Sequence, residues 1–172
     1  MVKPEGGKKA AVDSGKKGET ITIKDEGVFE QTGIPRNPDE YDYMTAKEFY
    51  AFQKEEGLRF RQKGPVELEG KQITSSRKRA DEALVDRGSK EVYVSENKRQ
   101  TSAGSVLEKL ETGQWKWEYW STIAKSIGFE LKGFFFLVTG AYFTEDVRKR
   151  LDDIIKHYES IDANVKIIFV DE

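Results

Sequence analysis

The chain has 172 residues, and its 29 Lys and Arg side chains nearly balance 31 Asp and Glu, which gives a formal net charge of −2. This balance excludes a histone-like polycation, and the absence of cysteine from the sequence excludes disulfides, thiolate metal sites and cysteine nucleophiles. Because His157 is the single histidine, any metal site must use oxygen ligands, and acid–base chemistry must depend mainly on carboxylates, lysines or water.

The N-terminal segment, residues 1–19, is rich in glycine, lysine and small side chains, which is typical of a flexible tail or linker. We expect one folded domain over residues 20–172, since a chain of this length can bury about 70% of its unfolded surface. No apolar run in the sequence approaches the roughly 18 residues that a membrane helix needs, so no membrane span is expected. The N-terminus also lacks the apolar core of a signal peptide.

The patterns in the first third of the chain are short. Residues 20–24 alternate β-branched and polar side chains and predict a strand, whereas the acidic, proline-containing residues 25–42 predict an ordered loop. Thr45 and Glu48 have the spacing of a capping box, which predicts the start of a helix. Residues 58–74 predict only short extended pieces.

A hairpin and four further elements follow. Strands over 81–86 and 91–98 flank a four-residue turn, which is the strongest hairpin pattern in the sequence. The remaining elements are a helix over 105–127 that Gly113 weakens, an apolar strand over 133–140 buried on both faces, a helix that Thr144 caps, and a strand over 165–170. This alternation of helices and strands predicts an α/β fold in which at least part of the sheet is parallel.

The hairpin is expected to bring three charged side chains together. If Asp86 and Glu91 close the turn, Asp81 lies directly across from Glu96, and the two Cβ atoms are about 4.5–5.5 Å apart. Side chains alternate along a strand, so Lys98 shares the face of Glu96 at the end of the sheet away from the turn. The pattern therefore predicts a cluster of two carboxylates and one lysine.

Two facing carboxylates repel each other, and either a lysine or a divalent cation can offset that repulsion. Two carboxylates with water and a substrate phosphate are a ligand set that Mg²⁺ prefers, and Mg²⁺ lowers the pKa of its bound water and neutralises charge on the phosphate. The set suits phosphodiester hydrolysis without histidine or cysteine. With 35% of the residues charged, however, the same spacing also arises on a solvated strand that has no catalytic role.

The segments RADEALV and EVYVSENK, together with the order of the predicted elements, resemble the PD-(D/E)XK nuclease superfamily, which has the restriction-endonuclease-like fold. The resemblance implies a core of order αβββαβ, with a mixed central sheet flanked by helices and, here, an extra C-terminal helix and strand. It extends by element order over residues 45–170, and its motif lies within residues 81–100. Ala80 stands where a proline often precedes the aspartate of the superfamily.

The same resemblance implies roles for individual residues. Asp81 and Glu96 would hold Mg²⁺ or Mn²⁺, Lys98 would assist the attacking water, and Gln100 would touch the site. Many members take another metal ligand from a glutamate of the first helix, and the candidates here are Glu48 (which also fits the capping box), Glu55 and Glu56. The implied substrate is DNA rather than RNA, since most members cut DNA.

Positive charge is concentrated before and within the hairpin. Residues 54–79 contain eight basic residues and four glutamates, so this stretch is expected to neutralise the phosphates of a nucleic acid. The residues expected to bind the backbone are Arg59, Arg61, Arg77, Lys78, Arg79 and Arg99. The alternative for such a stretch is a solvated surface.

Aromatic side chains crowd the helix predicted over 105–127. Trp117 and Trp120 follow its apolar stripe and are expected in the core. Trp115 and Tyr119 are expected to point elsewhere, toward nucleobases or a partner protein. His157 lies late in the following helix, where a structural role is expected because a helix C-terminus favours a cation.

A lysine- and glycine-rich head before a nuclease-like domain resembles the C-terminal toxin regions of bacterial polymorphic toxins. That resemblance implies secretion or delivery into a target-cell cytoplasm, and a cognate immunity protein. A DNA-repair or restriction nuclease is compatible with the same motif. The alternative from another class is a non-catalytic protein-interaction module, in which Asp81 and Glu96 are solvated and Mg²⁺ leaves the stability unchanged.

Overall fold

The computed structural model describes the chain in several ranges, and for two short strands, residues 66–68 and 71–73, it describes only the backbone. The other described residues are 21–58, 80–100, 104, 106–161 and 163–170. The predicted tail over residues 1–19 therefore lies outside the described residues. None of the helices in the described part combines the length and apolar character needed to cross a membrane.

Helices and strands alternate along the described ranges. In chain order they are helix α1 (Glu26–Thr32), strand β1 (Asp42–Thr45), helix α2 (Ala46–Glu55), strands β2 (Val66–Leu68), β3 (Lys71–Ile73), β4 (Glu82–Asp86) and β5 (Glu91–Arg99), helices α3 (Val106–Leu110) and α4 (Gly113–Ser126), strand β6 (Glu130–Thr139), helices α5 (Glu145–Arg150) and α6 (Asp152–Ser160), and strand β7 (Val165–Phe169). A short 3₁₀ turn, Pro38–Glu40, precedes β1.

Five strands form one mixed sheet in the order β1-β4-β5-β6-β7. Strand β4 is antiparallel to both of its neighbours, whereas β5, β6 and β7 are parallel to one another. Strands β2 and β3 form a separate antiparallel pair. Parallel neighbours need crossover connections, and the helices in those connections cover the faces of the sheet. The chain therefore has the predicted α/β class, with a five-stranded mixed sheet flanked by helices.

The predicted hairpin is confirmed, with strands β4 and β5 paired from Glu82 and Ser95 to Asp86 and Glu91. The turn forms because the Asp86 carboxylate accepts hydrogen bonds from the backbone N–H groups of Gly88 and Ser89, at 3.0 and 3.2 Å. This side chain fixes the four-residue loop, and the loop fixes the register of the whole hairpin.

Strand β6 supplies core side chains to both faces of the sheet, as its continuous apolar run predicted. Phe134 and Phe136 belong to a cluster on one face, with side chains of α2, α4, α5 and α6. Phe135 and Leu137 belong to a cluster on the other face, with side chains of α1. Burial of each such side chain is favourable by about 1.5–3 kcal/mol, so β6 anchors both layers of helices.

The sequence-based interpretation was wrong for residues 21–32, whereas residues 33–41 are irregular apart from the 3₁₀ turn, as predicted. Residues 21–24 form a turn rather than a strand, and α1 lies where a loop was predicted. Val28, Phe29 and Thr32 of α1 are buried at helical spacing, and the helix ends at Gly33, whose φ of 73° is left-handed. Because the prolines follow Gly33, they limit the chain beyond the helix and not the helix itself.

The helix predicted over 105–127 is divided into α3 and α4, and the break directly precedes Gly113. A Cβ atom at this position would lie 2.7 Å from the Tyr158 hydroxyl, which accepts a 2.9 Å hydrogen bond from the Gly113 N–H. The same hydroxyl donates to the Leu110 carbonyl at the end of α3. Gly113 thus permits a close approach of α6 to the break, and its weak helix propensity is only part of its role.

Candidate functional site

A pocket of about 300 Å³ lies at one edge of the main sheet. Strands β1, β5 and β6 run in the same direction and end there, and β4 begins there. Open α/β sheets bind ligands at the carboxyl ends of their parallel strands, which is where this pocket lies. The described residues that line it are Ile21, Tyr43, Thr45, Asp81, Glu82, Asn97, Lys98, Arg99, Leu137 and Thr139.

Asp81 lies at the point where β4 and β5 separate. The last regular pair of the hairpin is Glu82 with Ser95, and the Asp81 N–H donates to the Ser95 carbonyl at 3.1 Å. The Asp81 carboxylate then takes the place of a strand carbonyl, since its Oδ2 accepts a 2.7 Å hydrogen bond from the Asn97 N–H. This bond holds the carboxylate at the pocket, opposite Glu96 in the register of the hairpin.

Glu96 and Lys98 lie on the same face of β5, as alternation along the strand predicted. The Lys98 ammonium is 3.1 Å from Glu96 Oε2. The Glu96 side chain is only 8% exposed, whereas the Lys98 side chain is 21% exposed and lines the pocket. The lysine therefore links a buried carboxylate to the solvent-filled edge of the sheet.

Lys116 is a fourth member of the cluster, and the sequence patterns did not predict it. It lies on α4, its side chain is 10% exposed, and its ammonium contacts the same Glu96 oxygen that Lys98 contacts. The ammonium also lies 5.4 Å from the centre of the Phe136 ring. One signal was available in the sequence: Lys116 lies four residues before Trp120, so it occupies a position on the buried stripe of α4.

The environment of Asp81 raises the pKa of its carboxyl. Although one side of the residue is exposed, the surrounding protein atoms remove enough water to dominate this shift. The Asn97 hydrogen bond and the charge of Lys98 oppose it, while the charge of Glu96 adds to it. With the two lysines and two carboxylates ionised, the cluster has no net charge.

Glu82, next to Asp81, is a second buried carboxylate that the sequence patterns did not single out. It points to the opposite face of the sheet, where Tyr43 donates a 2.6 Å hydrogen bond to Oε1. The Ile23 N–H and the Ser95 hydroxyl donate to Oε2 at 3.0 and 3.2 Å. Burial raises the pKa of Glu82, and these three donors act against that shift. Glu82 thereby ties residues 21–24 and β1 to the hairpin.

The side chain of Gln100 caps the N-terminus of α3. Its Oε1 accepts a 3.1 Å hydrogen bond from the Val106 N–H, the first residue of α3, and the side chain is buried. Its backbone N–H donates to Thr139 at 3.0 Å. Gln100 is absent from the described lining of the pocket, so its contacts indicate support of the site rather than contact with a substrate.

Glu48 is not brought together with Asp81 and Glu96. Its carboxylate accepts hydrogen bonds from the N–H and hydroxyl of Thr45, at 3.4 and 2.9 Å, so the predicted capping box is confirmed. Glu48 and Glu55 line a separate groove along β1. Among the described residues, no group of three or more acidic or histidine side chains is arranged to hold a metal ion.

Of the residues predicted to bind a nucleic-acid backbone, Arg99 lines the pocket. The others lie outside the described residues: Arg59, Arg61, Arg77, Lys78 and Arg79. The interpretation of Tyr119 was wrong, because this residue is buried in the core and stacks on Trp115 with 5.4 Å between ring centres. Trp120 is buried as predicted, Trp117 is partly buried against the same core, and Trp115 is 42% exposed.

Comparison with known proteins found no match: no family model, no curated protein and no solved structure is similar to this chain.

Proposed function

We propose that this protein is a metal-dependent nuclease that hydrolyses phosphodiester bonds, with DNA preferred over RNA. The observation that carries the proposal is that Asp81 and Lys98 line a pocket at the carboxyl ends of the strands, and that Lys98 pairs with Glu96, which lies outside the described lining of that pocket. This residue set matches the proposed chemistry, because carboxylates can bind a hard cation and a lysine can stabilise the charge that develops on an attacked phosphate.

The order of the strands supports a restriction-endonuclease-like core. Helix α1, strands β1, β4 and β5, helix α4 and strand β6 follow the αβββαβ order, and the five strands lie in the sheet in chain order. In this alignment the core begins at α1 rather than at the helix that Thr45 caps, and α2 and the β2–β3 pair are inserted between the first and second strands of the core. Helices α5 and α6 and strand β7 are the additional C-terminal elements.

The donor set fits Mg²⁺ or Mn²⁺ held by Asp81 and Glu96. Mg²⁺ is commonly bound through one or two carboxylates, with water and substrate phosphate as the other ligands. In the described contacts Asp81 accepts through Oδ2 and Glu96 through Oε2, so the other oxygen of each carboxylate would be the metal ligand. The bound metal would supply an activated water and charge neutralisation at the phosphate.

Other residues of the chain would position the attacking water, the Asp81 carboxylate and the nucleic acid. Lys98 would orient the attacking water or stabilise the phosphate, since this residue lines the pocket. Asn97 holds Asp81 in place through its backbone N–H. Arg99 at the pocket, and the basic stretch over residues 59–79, would bind the backbone of the nucleic acid.

For the biological setting, we propose an antibacterial toxin or effector domain that a cognate immunity protein neutralises. The support is the resemblance of the lysine- and glycine-rich head and nuclease motif to polymorphic toxins. Expression in bacterial cytoplasm should then be toxic, and Lys98→Ala should remove the toxicity. Harmless expression of an active wild-type nuclease would favour a repair or restriction role instead.

The proposal is tested by incubating plasmid DNA and an RNA panel with the protein, in Mg²⁺ and in EDTA. We expect Mg²⁺-dependent cleavage that is lost in Asp81→Ala and in Lys98→Ala. Asp153→Ala is the matched control, because Asp153 is an exposed carboxylate on α6, and it should cleave at the wild-type rate. Equal cleavage by all four folded proteins would contradict the proposal.

One observation favours the second candidate, a non-catalytic interaction module. Glu96 is already paired with two lysines, so the cluster is electrostatically balanced without a metal. In that case Mg²⁺ would leave the melting temperature of the protein unchanged, and no nucleic acid in the panel would be cut.

A further inference from the structure

Two lysines contact one oxygen of Glu96, and their surroundings differ. Lys116 approaches Glu96 Oε2 from α4 and its side chain is 10% exposed. Lys98 approaches the same atom along β5, at 3.1 Å, and its side chain is 21% exposed and lines the pocket. One carboxylate oxygen thus has an interior cation and a pocket-facing cation.

We propose that Lys116 is the permanent counter-ion of Glu96 and the positioning residue for its carboxylate, which leaves Lys98 free to turn toward the substrate. This inference rests on the proposed function for its catalytic part. Lys116 itself acts through Glu96 and does not reach the substrate.

The packing of α4 supports a fixed position for Lys116. The residue lies on the same buried stripe as Gly113 and Trp120, and its ammonium is 5.4 Å from the centre of the Phe136 ring. A cation in this position can leave Glu96 only by entering apolar surroundings without a partner, which is strongly unfavourable. The contact between Lys116 and Glu96 therefore persists whatever occupies the pocket.

Lys98, unlike Lys116, can leave Glu96 for a polar environment. A divalent cation held by Asp81 and Glu96 repels both ammonium groups, and the Lys98 group can move into the pocket, where water or a phosphate replaces Glu96. Lys116 then keeps Glu96 oriented after Lys98 leaves it.

A double-mutant cycle in the metal-free protein tests the counter-ion role. We expect Glu96→Gln to lower the melting temperature by roughly 10 °C, because it leaves Lys116 buried without its charged partner. Lys116→Met should lower it as well, and the double variant should lose less than the sum of the two shifts. Additive shifts would overturn the inference. The matched cycle with Lys98→Met should show a smaller coupling, since Lys98 is more exposed than Lys116.

Acetic anhydride labelling followed by mass spectrometry tests the release of Lys98. Without metal we expect Lys98 to be modified faster than Lys116. Addition of Mg²⁺ or Mn²⁺ should accelerate modification of Lys98 several-fold and leave Lys116 protected. Unchanged labelling of Lys98, or faster labelling of Lys116, would overturn the division of roles.

Cleavage as a function of Mg²⁺ concentration separates positioning from catalysis. Lys116→Met should raise the Mg²⁺ concentration for half-maximal cleavage, because the lost positioning of Glu96 outweighs the repulsion that the variant removes, with a smaller effect on the rate at saturation, and Lys116→Arg should restore it. Lys98→Met should lower the saturated rate. Where Lys116→Met does not fold, Lys116→Gln takes its place. If the wild-type protein does not cleave but the double-mutant cycle of Glu96 and Lys116 shows coupling, the proposed function fails and the counter-ion role stands. If the wild-type protein cleaves but that cycle is additive, the counter-ion role alone is refuted.

Discussion

Two adjacent acidic side chains at the start of β4 have different roles on the two faces of the sheet. Asp81 and Glu82 both line the pocket, but Glu82 is buried and bound by three donors that carry no formal charge. Because side chains alternate along a strand, the adjacent residues Asp81 and Glu82 point to opposite faces of the sheet. Asp81 accepts a hydrogen bond from the Asn97 N–H, and Glu82 organises the contacts on the other face. The Asp81 carboxylate is thus available for chemistry, whereas the Glu82 carboxylate is occupied by its three donors.

We predict that Glu82→Ala lowers the free energy of unfolding by about 3 kcal/mol, since it leaves the Tyr43, Ile23 and Ser95 donors without an acceptor. Tyr43→Phe is the milder comparison and should lose about 1–2 kcal/mol, because Glu82 keeps its other two donors. Urea unfolding measures both. An unfolding free energy of Glu82→Ala equal to that of wild type would contradict this role.

The residue scale also shows what the sequence could and could not predict. Asp81, Glu96 and Lys98 were predictable together because a four-residue turn fixes the register and alternation fixes the faces. The partnership of Glu96 and Lys116 depends on how α4 packs on the sheet, which no local pattern encodes. Lys116 could be recognised as a charged residue on a buried stripe, but its partner could not be identified from the sequence.

At the scale of elements, the ends of β5 and β6 are joined by a close backbone contact. Gly140 follows β6 with a φ of 115°, and a Cβ atom there would lie 2.6 Å from the carbonyl carbon of Gln100. The Gln100 carbonyl accepts a 3.3 Å hydrogen bond from Tyr142, and its N–H donates to Thr139 at 3.0 Å. This contact fixes the strand ends that form one wall of the pocket.

We predict that Gly140→Ala lowers the free energy of unfolding by about 3 kcal/mol or more, because both the backbone conformation and the space exclude a side chain. Gly57→Ala is the matched control: Gly57 has a φ of 102°, and a Cβ atom there would meet no atom of the described residues within 4 Å, so the backbone strain of about 1–2 kcal/mol is the expected cost. Chemical denaturation compares the two variants. Equal losses would show that the contact with Gln100 is unimportant.

Elements whose limits are set locally were predictable, and those set by packing were not. The capping box at Thr45 and the apolar run of β6 predicted α2 and β6 close to their observed positions. Helix α1 is only seven residues long and is held by burial of Val28 and Phe29 against the sheet, so its acidic composition resembled a loop. The break before Gly113 depends on Tyr158, forty-five residues away.

At the scale of the whole molecule, the near-neutral charge of the chain combines stretches of opposite sign. Residues 25–48 contain seven acidic and two basic side chains, whereas residues 54–79 carry eight basic and four acidic ones. The overall α/β class was predictable because helix and strand patterns alternate after the hairpin. Strand β1 was not predictable, since its four residues lie between a loop pattern and a helix cap.

We predict that Mg²⁺ stabilises the whole fold through the candidate site. At a concentration about 100 times the dissociation constant, binding to the native state adds about 2.7 kcal/mol, which corresponds to a rise in melting temperature of roughly 5–10 °C. Asp81→Ala should abolish the rise, and EDTA should reverse it in wild type. The exposed Asp153→Ala control should respond as wild type does, and an equal response of Asp81→Ala would place any bound cation elsewhere.

The proposal that Lys98, beside Asp81 and Glu96, serves phosphodiester hydrolysis is decided by the single-turnover cleavage rate of DNA at saturating Mg²⁺. We predict measurable cleavage by wild type and a rate lower by about 10²-fold or more in folded Lys98→Ala, the range expected on loss of a group that moves a proton or stabilises charge. Equal rates for the two proteins, or no cleavage by wild type, would contradict this role of Lys98.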